Sequence, residues 1–148
     1  MDARADKLGG LVLEVFRLNG CLIAAGDEKV APFGLSSARW QLLGAVIRTS
    51  EPHTVSQIAR EAGASRQAVQ RLTNLLVDEG LLEMTENPQD KRAQLVKVTE
   101  QGRSVYSKAD RVRQMWLGDV AESLDLDEVE HAIRLLQRLR SLLSRADC

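Results

Sequence analysis

Apolar residues recur at three- and four-residue steps along most of this chain, and at two-residue steps in one short interval near its middle. The first spacing is that of an amphipathic helix and the second that of a half-buried strand. Leu8, Leu11, Val15, Leu18 and Leu22 define a first helix that is expected to stop near Gly26, with Asp27–Gly34, which includes Pro32, as a loop. Ser36 can cap a second helix over about 37–49, with Trp40, Leu43 and Val46 or Ile47 inward. Thr54-Val55-Ser56-Gln57 fits a reciprocal capping box, and Gly63 stops that helix after about two turns. Ser65 can then cap a further helix running to Gly80. A short helix, a tight glycine-containing turn and a longer helix make a helix-turn-helix candidate.

After Gly80 the period changes. Leu82-Glu83-Met84-Thr85-Glu86 and Gln94-Leu95-Val96-Lys97-Val98-Thr99 alternate apolar and polar residues, and Asn87-Pro88-Gln89-Asp90-Lys91-Arg92 supplies turn chemistry between them. That predicts a β-hairpin, the wing of a winged helix. Thr99 caps a long helix to about Leu124, with Val105, Ala109, Val112, Trp116 and Val120 on one stripe. Asp125 and Glu128 fit another capping box, starting a last helix along which Val129, Ala132, Leu136, Leu139 and Leu143 line up. The expected fold is mainly α with a small β-hairpin wing. Within the single unit 1–148, the winged helix-turn-helix occupies about 36–99. The helices at about 7–26 and 100–146 carry more apolar surface than one small winged domain needs to cover, so they are expected to dimerise.

Composition places the chain among ordinary globular proteins, with 44% apolar and 28% charged residues in 148. The net charge of −1 argues neither for nor against nucleic acid, so a DNA-binding case must rest on where the charges sit. Two cysteines, Cys21 and Cys148, cannot build a disulfide framework and suit a reducing cytoplasm. The apolar stretch Leu8–Ala25 contains Glu14, Arg17 and Asn19 and has no net basic flank ahead of it, so it reads as a soluble helix with no membrane role. In the last helix Asp127, Glu128 and Glu130 come first, while Arg134, Arg138, Arg140 and Arg145 follow, an order that complements the helix dipole.

The helix after Ser65 reads Arg66-Gln67-Ala68-Val69-Gln70-Arg71-Leu72-Thr73-Asn74-Leu75-Leu76-Val77 and holds no acidic residue. Val69, Leu72, Leu75 and Leu76 are expected to pack on the core. Gln67, Gln70, Arg71 and Asn74 share the opposite face. Arginine can bond bidentately to guanine and glutamine to adenine, while Ser65 and the helix N-terminus can hold a phosphate. A plain amphipathic surface helix would also be polar on one side; the helix-turn-helix spacing and the adjoining wing favour the nucleic-acid reading. At the wing tip Lys91 and Arg92 are basic, and an arginine held out on a hairpin can enter a narrow minor groove. Asp90 fits beside phosphate only by turning back to fix a neighbour such as Arg92.

These segments resemble the multiple-antibiotic-resistance regulator (MarR) family over nearly the whole chain. The resemblance runs from Gly34-Leu35-Ser36 and Arg39-Trp40-Gln41-Leu42-Leu43 through Val55-Ser56-Gln57-Ile58-Ala59 and Ser65-Arg66-Gln67-Ala68-Val69. It is strongest in Leu75…Gly80-Leu81-Leu82, in Asn87-Pro88-Gln89-Asp90-Lys91-Arg92-Ala93 and in Val98-Thr99-Glu100-Gln101-Gly102. It implies a homodimer whose first, fifth and sixth helices intertwine, recognition helices in successive major grooves, Asp90 bracing the wing and Arg92 in the minor groove. It also implies a transcription regulator, often a repressor that releases operator DNA when a small-molecule effector binds between the dimer and DNA-binding regions.

Other chemistry finds little support. His53 and His131 lie far apart with no Cys or His at metal-ligand spacing, and no phosphate loop or nucleophile motif appears; neither an enzyme nor a metal or cofactor site is expected. Cys21 has Arg17 four residues earlier, which could favour a thiolate and a redox-sensing role. A small apolar residue at a helix contact is the simpler reading. Trp40 and Trp116 could line an effector cavity, although each also sits on an apolar stripe. A winged helix that binds another protein is the remaining alternative, and the acid-free helix speaks against it.

Overall fold

The computed structural model describes residues 2–147, with side chains from Asp2 to Ser144. Cys148 and the side chain of Arg145 therefore lie outside the described residues. The elements in order are α1 (Ala3–Val30), a 3-10 turn (Ala31–Phe33), α2 (Ser37–Ile47), β1 (His53–Thr54), α3 (Val55–Ala62), α4 (Arg66–Asp78), β2 (Leu82–Thr85), β3 (Leu95–Val98), α5 (Glu100–Ala121) and α6 (Leu126–Asp147). The chain divides inside α5, after Val112, into two compact units.

The helix starts follow from local capping. Ser36 accepts from Arg39 N–H, Ser65 from Ala68 N–H and Thr99 from Gly102 N–H, each filling an otherwise orphaned donor of a first turn. Thr54 and Gln57 form both halves of the capping box, at 3.2 and 2.9 Å. At α6 the Asp125 carboxylate accepts from Asp127 N–H at 3.0 Å. Gly63 ends α3 at φ 65°, a left-handed conformation that lets the chain turn at once into α4.

The first helix departs from expectation. It continues past Gly26 to Val30, so Asp27–Val30 is helix and only the 3-10 turn and Gly34 remain of the expected loop. The cause lies in α2. Ser37 N–H donates to the Asp27 carboxylate at 2.6 Å and the Ser37 hydroxyl donates to the Ile23 carbonyl at 2.9 Å. The last turn of α1 thereby caps α2 from ten residues away, and a β-carbon on Gly26 would press into the Ser37 hydroxyl. By length and composition alone, the segment Ala3–Phe33 is apolar enough to cross a membrane. It also carries an exposed Arg17–Glu14 ion pair at 2.9 Å.

In the first unit Val30, Leu43, Leu76, Leu82 and Val96 are almost wholly buried, so α1, α2, α4 and the sheet share one core. The strands form a three-stranded antiparallel sheet in the order β1-β3-β2. The hairpin register pairs Leu82 with Val98 and Thr85 with Leu95, as the alternation requires. The third strand was not expected: His53 and Thr54 pair with Val96 and Leu95. Along α5, Ala109 is buried, Val105, Val112 and Trp116 are half-buried, and Val120 is exposed, so the expected stripe leaves the core at its C-terminal end. In the second unit no described side chain of α6 is buried, and Ile133, Leu135, Leu136, Leu142 and Leu143 are exposed.

Candidate nucleic-acid interface

Helix α4 stands on its apolar side. Val69, Thr73 and Leu76 are buried, with Leu72 half-buried against the core. One residue differs from the sequence reading, and one that it did not assign joins the core. Leu75, expected inside, is 40% exposed, because the buried stripe runs through 69, 72, 73 and 76 and position 75 falls beside it. Thr73, on that stripe, is fully buried and donates its hydroxyl to the Val69 carbonyl at 2.7 Å, which satisfies it without leaving the helix.

The outer side brings the expected polar residues together. Arg66, Gln67, Gln70, Arg71 and Asn74 lie together on one open face of α4. Gln70 donates from Nε2 to Asn74 Oδ1 at 2.9 Å, a bond at the i, i+4 spacing that was legible in principle. Ser65 sits at the helix mouth, where its oxygen accepts from Ala68 N–H and its own hydroxyl hydrogen remains to donate. With Arg66 and Arg71 exposed and no acid on the helix before Asp78, this is a locally cationic surface on a chain of net charge −1.

One support for α4 lies beyond sequence reach. Arg39, in the first turn of α2, pairs with Glu79 at the C-terminal end of α4, Nη1 to Oε1 2.7 Å. Both side chains are about two-thirds buried, and forty residues separate them. The pair fixes the far end of α4 against the start of α2, while the Gly63 turn and the Ser65 cap fix the near end.

At the wing, two successive turns share Asp90. Asp90 N–H donates to the Asn87 carbonyl at 3.3 Å, and Ala93 N–H donates to the Asp90 carbonyl at 3.2 Å. The Asp90 carboxylate accepts from Arg92 N–H at 3.0 Å and lies 3.7 Å from Arg92 Nε. Asp90 thus turns back on the loop. The Arg92 side chain is 95% exposed, and Lys91 beside it is exposed too.

The wing and α5 meet at a joint built from Gly80, Leu81, Thr99 and Gly102. Thr99 N–H donates to the Leu81 carbonyl at 3.1 Å and the Thr99 hydroxyl to the Gly80 carbonyl at 2.7 Å. A β-carbon on Gly102 would collide with the Leu81 carbonyl, so the first turn of α5 can lie on this backbone only with glycine there.

The remaining candidates lie elsewhere. Trp40 is half-buried and packs against the core of the first unit, and Trp116 is half-buried in the second. Cys21 is exposed on α1, and the Arg17 guanidinium is engaged with Glu14. His53 lies in β1 with Nδ1 3.6 Å from Glu61 Oε1.

A family model described as the MarR family matches residues 33–93, the span from the end of the 3-10 turn to the loop between β2 and β3. An uncharacterized protein of Mycobacterium tuberculosis is 43% identical over 101 residues, which cover 68% of this chain and 69% of that protein. The chain belongs to the MarR family. The transcriptional activatory protein BadR of Rhodopseudomonas palustris is 24% identical over 149 residues, covering 99% of this chain and 85% of BadR. Among solved structures, a mutant MarR from E. coli complexed with operator DNA superposes with a TM-score of 0.78 at 23% identity, covering 94% of this chain and 99% of that one. CouR from Rhodococcus jostii RHA1, bound to p-coumaroyl-CoA, gives 0.78 at 24% identity, covering 94% and 95%. This MarR-family chain thus has the winged-helix fold of transcription regulators, mainly helical with a small antiparallel sheet.

Proposed function

We propose that this MarR-family protein is a cytoplasmic homodimeric transcription regulator that reads a pseudo-palindromic operator, with α4 in the major groove and the wing in the minor groove. The observation that carries this reading is the outer side of α4 from Arg66 to Asn74, which carries no acid ahead of Asp78. There Arg66, Gln67, Gln70, Arg71 and Asn74 share one open face, above a Ser65 cap placed to meet phosphate. Lys91 and Arg92 extend the cationic surface onto the wing, with Asp90 bracing the loop that presents them. The exposed apolar residues of α1, α5 and α6 supply the surface through which two copies associate, which also accounts for the hydropathy of α1. A small-molecule effector that binds the DNA-free state better would set the balance between DNA-bound and free states. CouR, which shares the fold, is bound to p-coumaroyl-CoA in its structure.

Repression is the output proposed. The name of BadR, an activatory protein aligned with nearly all of this chain, favours activation as the second reading, and the operator's place relative to the promoter decides between them. The direct test is selection of binding sites from random duplexes with the purified protein. An enriched inverted repeat with half-sites about one helical turn apart supports the proposal. Enrichment of no sequence, with weak and salt-insensitive binding to every duplex, removes it.

A further inference from the structure

We propose that Asn74 is a positioning residue that holds the Gln70 side chain in the state that selects adenine. The inference rests on the reading of α4 as the DNA reader and assigns a division of labour within it. Gln70 Nε2 donates to Asn74 Oδ1 at 2.9 Å, one turn further along the same face. A glutamine amide has two N–H donors and one carbonyl acceptor. With Asn74 taking the hydrogen anti to Oε1, the outward edge keeps the syn N–H as a single donor beside the Oε1 acceptor. Adenine presents the complement in the major groove, the N7 acceptor beside the N6 donor.

Guanine presents two acceptors, N7 and O6. A freely turning glutamine can give it both hydrogens of the amide nitrogen. Gln70 held by Asn74 cannot, because one hydrogen is already bound and the Oε1 lone pairs would face the guanine O6. Asn74 therefore discriminates by removing the wrong option from its neighbour. Holding Gln70 in place before contact also reduces the side-chain freedom lost on binding.

The experiment measures binding of the full-length protein to its selected operator and to all single-base variants of each half-site. Wild type prefers adenine over guanine at the position where Gln70→Ala abolishes base preference. Asn74→Ala lowers that preference roughly tenfold, the scale of one bidentate contact. In the Gln70→Ala background, Asn74→Ala changes no base preference. Asn74→Asp keeps the acceptor oxygen, so it retains the adenine preference while its charge weakens binding to every duplex. Two results overturn the proposal and leave α4 as reader: the preference survives Asn74→Ala, or Asn74→Ala still alters a base preference without Gln70. If Gln70→Ala and Arg71→Ala both leave every base preference intact, α4 is not the reader and the proposed function falls with this inference.

Discussion

The Thr99 hydroxyl donates to the Gly80 carbonyl at 2.7 Å across nineteen residues, and closes the base of the wing onto the start of α5. The same oxygen accepts from Gly102 N–H at 3.0 Å, so one side chain caps a helix and ties a turn. Replacing Thr99 by Val keeps the shape and loses both bonds, at a cost of about 1–3 kcal/mol in denaturant unfolding. Gly102→Ala forces a β-carbon onto the Leu81 carbonyl and costs about 2 kcal/mol or more. Two variants that unfold at the wild-type midpoint would show that the joint is not what holds wing and helix together.

The Arg39–Glu79 pair bridges two helix ends and is two-thirds buried, so its loss is expected to be felt more than that of a surface pair. Arg39→Ala or Glu79→Ala costs about 1 kcal/mol of stability, and the double variant costs less than the two together. Operator affinity falls in each single variant, because α4 loses its fixed far end. Strict additivity in the cycle dismisses the coupling.

Exposed leucines along α6 predict association. At micromolar concentration, sedimentation gives a species of about twice 16.4 kDa. Leu136→Glu places a charge in that surface and shifts the protein towards monomer, with parallel loss of operator binding. A wild-type chain that sediments as a stable folded monomer rules out the dimer.

Cys21 is a simple case. It is exposed on α1, and Arg17, four residues earlier, pairs with Glu14 at 2.9 Å. Wild type and Cys21→Ser are both expected to bind operator equally well before and after treatment with low peroxide. Loss of wild-type binding that Cys21→Ser prevents would instead make this residue a sensor.

Legibility in the sequence tracked distance along the chain. The caps at Ser36, Thr54, Ser65 and Thr99 were readable because donor and acceptor lie within three residues of each other. The hairpin was readable because its period of two is fixed by the pleat. The end of α1 was not, because Asp27 is held by Ser37 and the local signals, glycine and proline, pointed to a loop. Neither was β1, two residues long, whose strand character comes only from pairing with Val96 and Leu95 some forty residues on. On α4 residue type misled at Leu75, whose hydrophobicity suggested the inside, whereas helical phase leaves it exposed and buries Thr73. The polar set from Arg66 to Asn74 was legible as a face, and the bond between Gln70 and Asn74 became visible only with coordinates.

The last prediction separates reading from positioning. Arg71 lies mid-helix on the open face of α4, and in the proposed reading its guanidinium makes a bidentate contact to guanine O6 and N7. Arg92 extends from the wing almost fully into solvent, held at its backbone by Asp90; in the proposed reading it meets the minor groove, where groove width and phosphate charge matter more than base identity. Arg71→Ala should cost about 1–3 kcal/mol on the operator and flatten preference at one base position in each half-site. Arg92→Ala should weaken all duplexes more evenly, lower the salt dependence, and act most where A·T-rich flanks narrow the minor groove. Asp90→Ala frees the loop while leaving the charge of Arg92, so it should reduce affinity with no fall in the salt slope. The measurement is a titration of the three variants against an operator library at two salt concentrations. If Arg92→Ala alters one base position sharply and leaves the salt slope unchanged, the wing reads sequence, and the assignment of roles between helix and hairpin must be reversed.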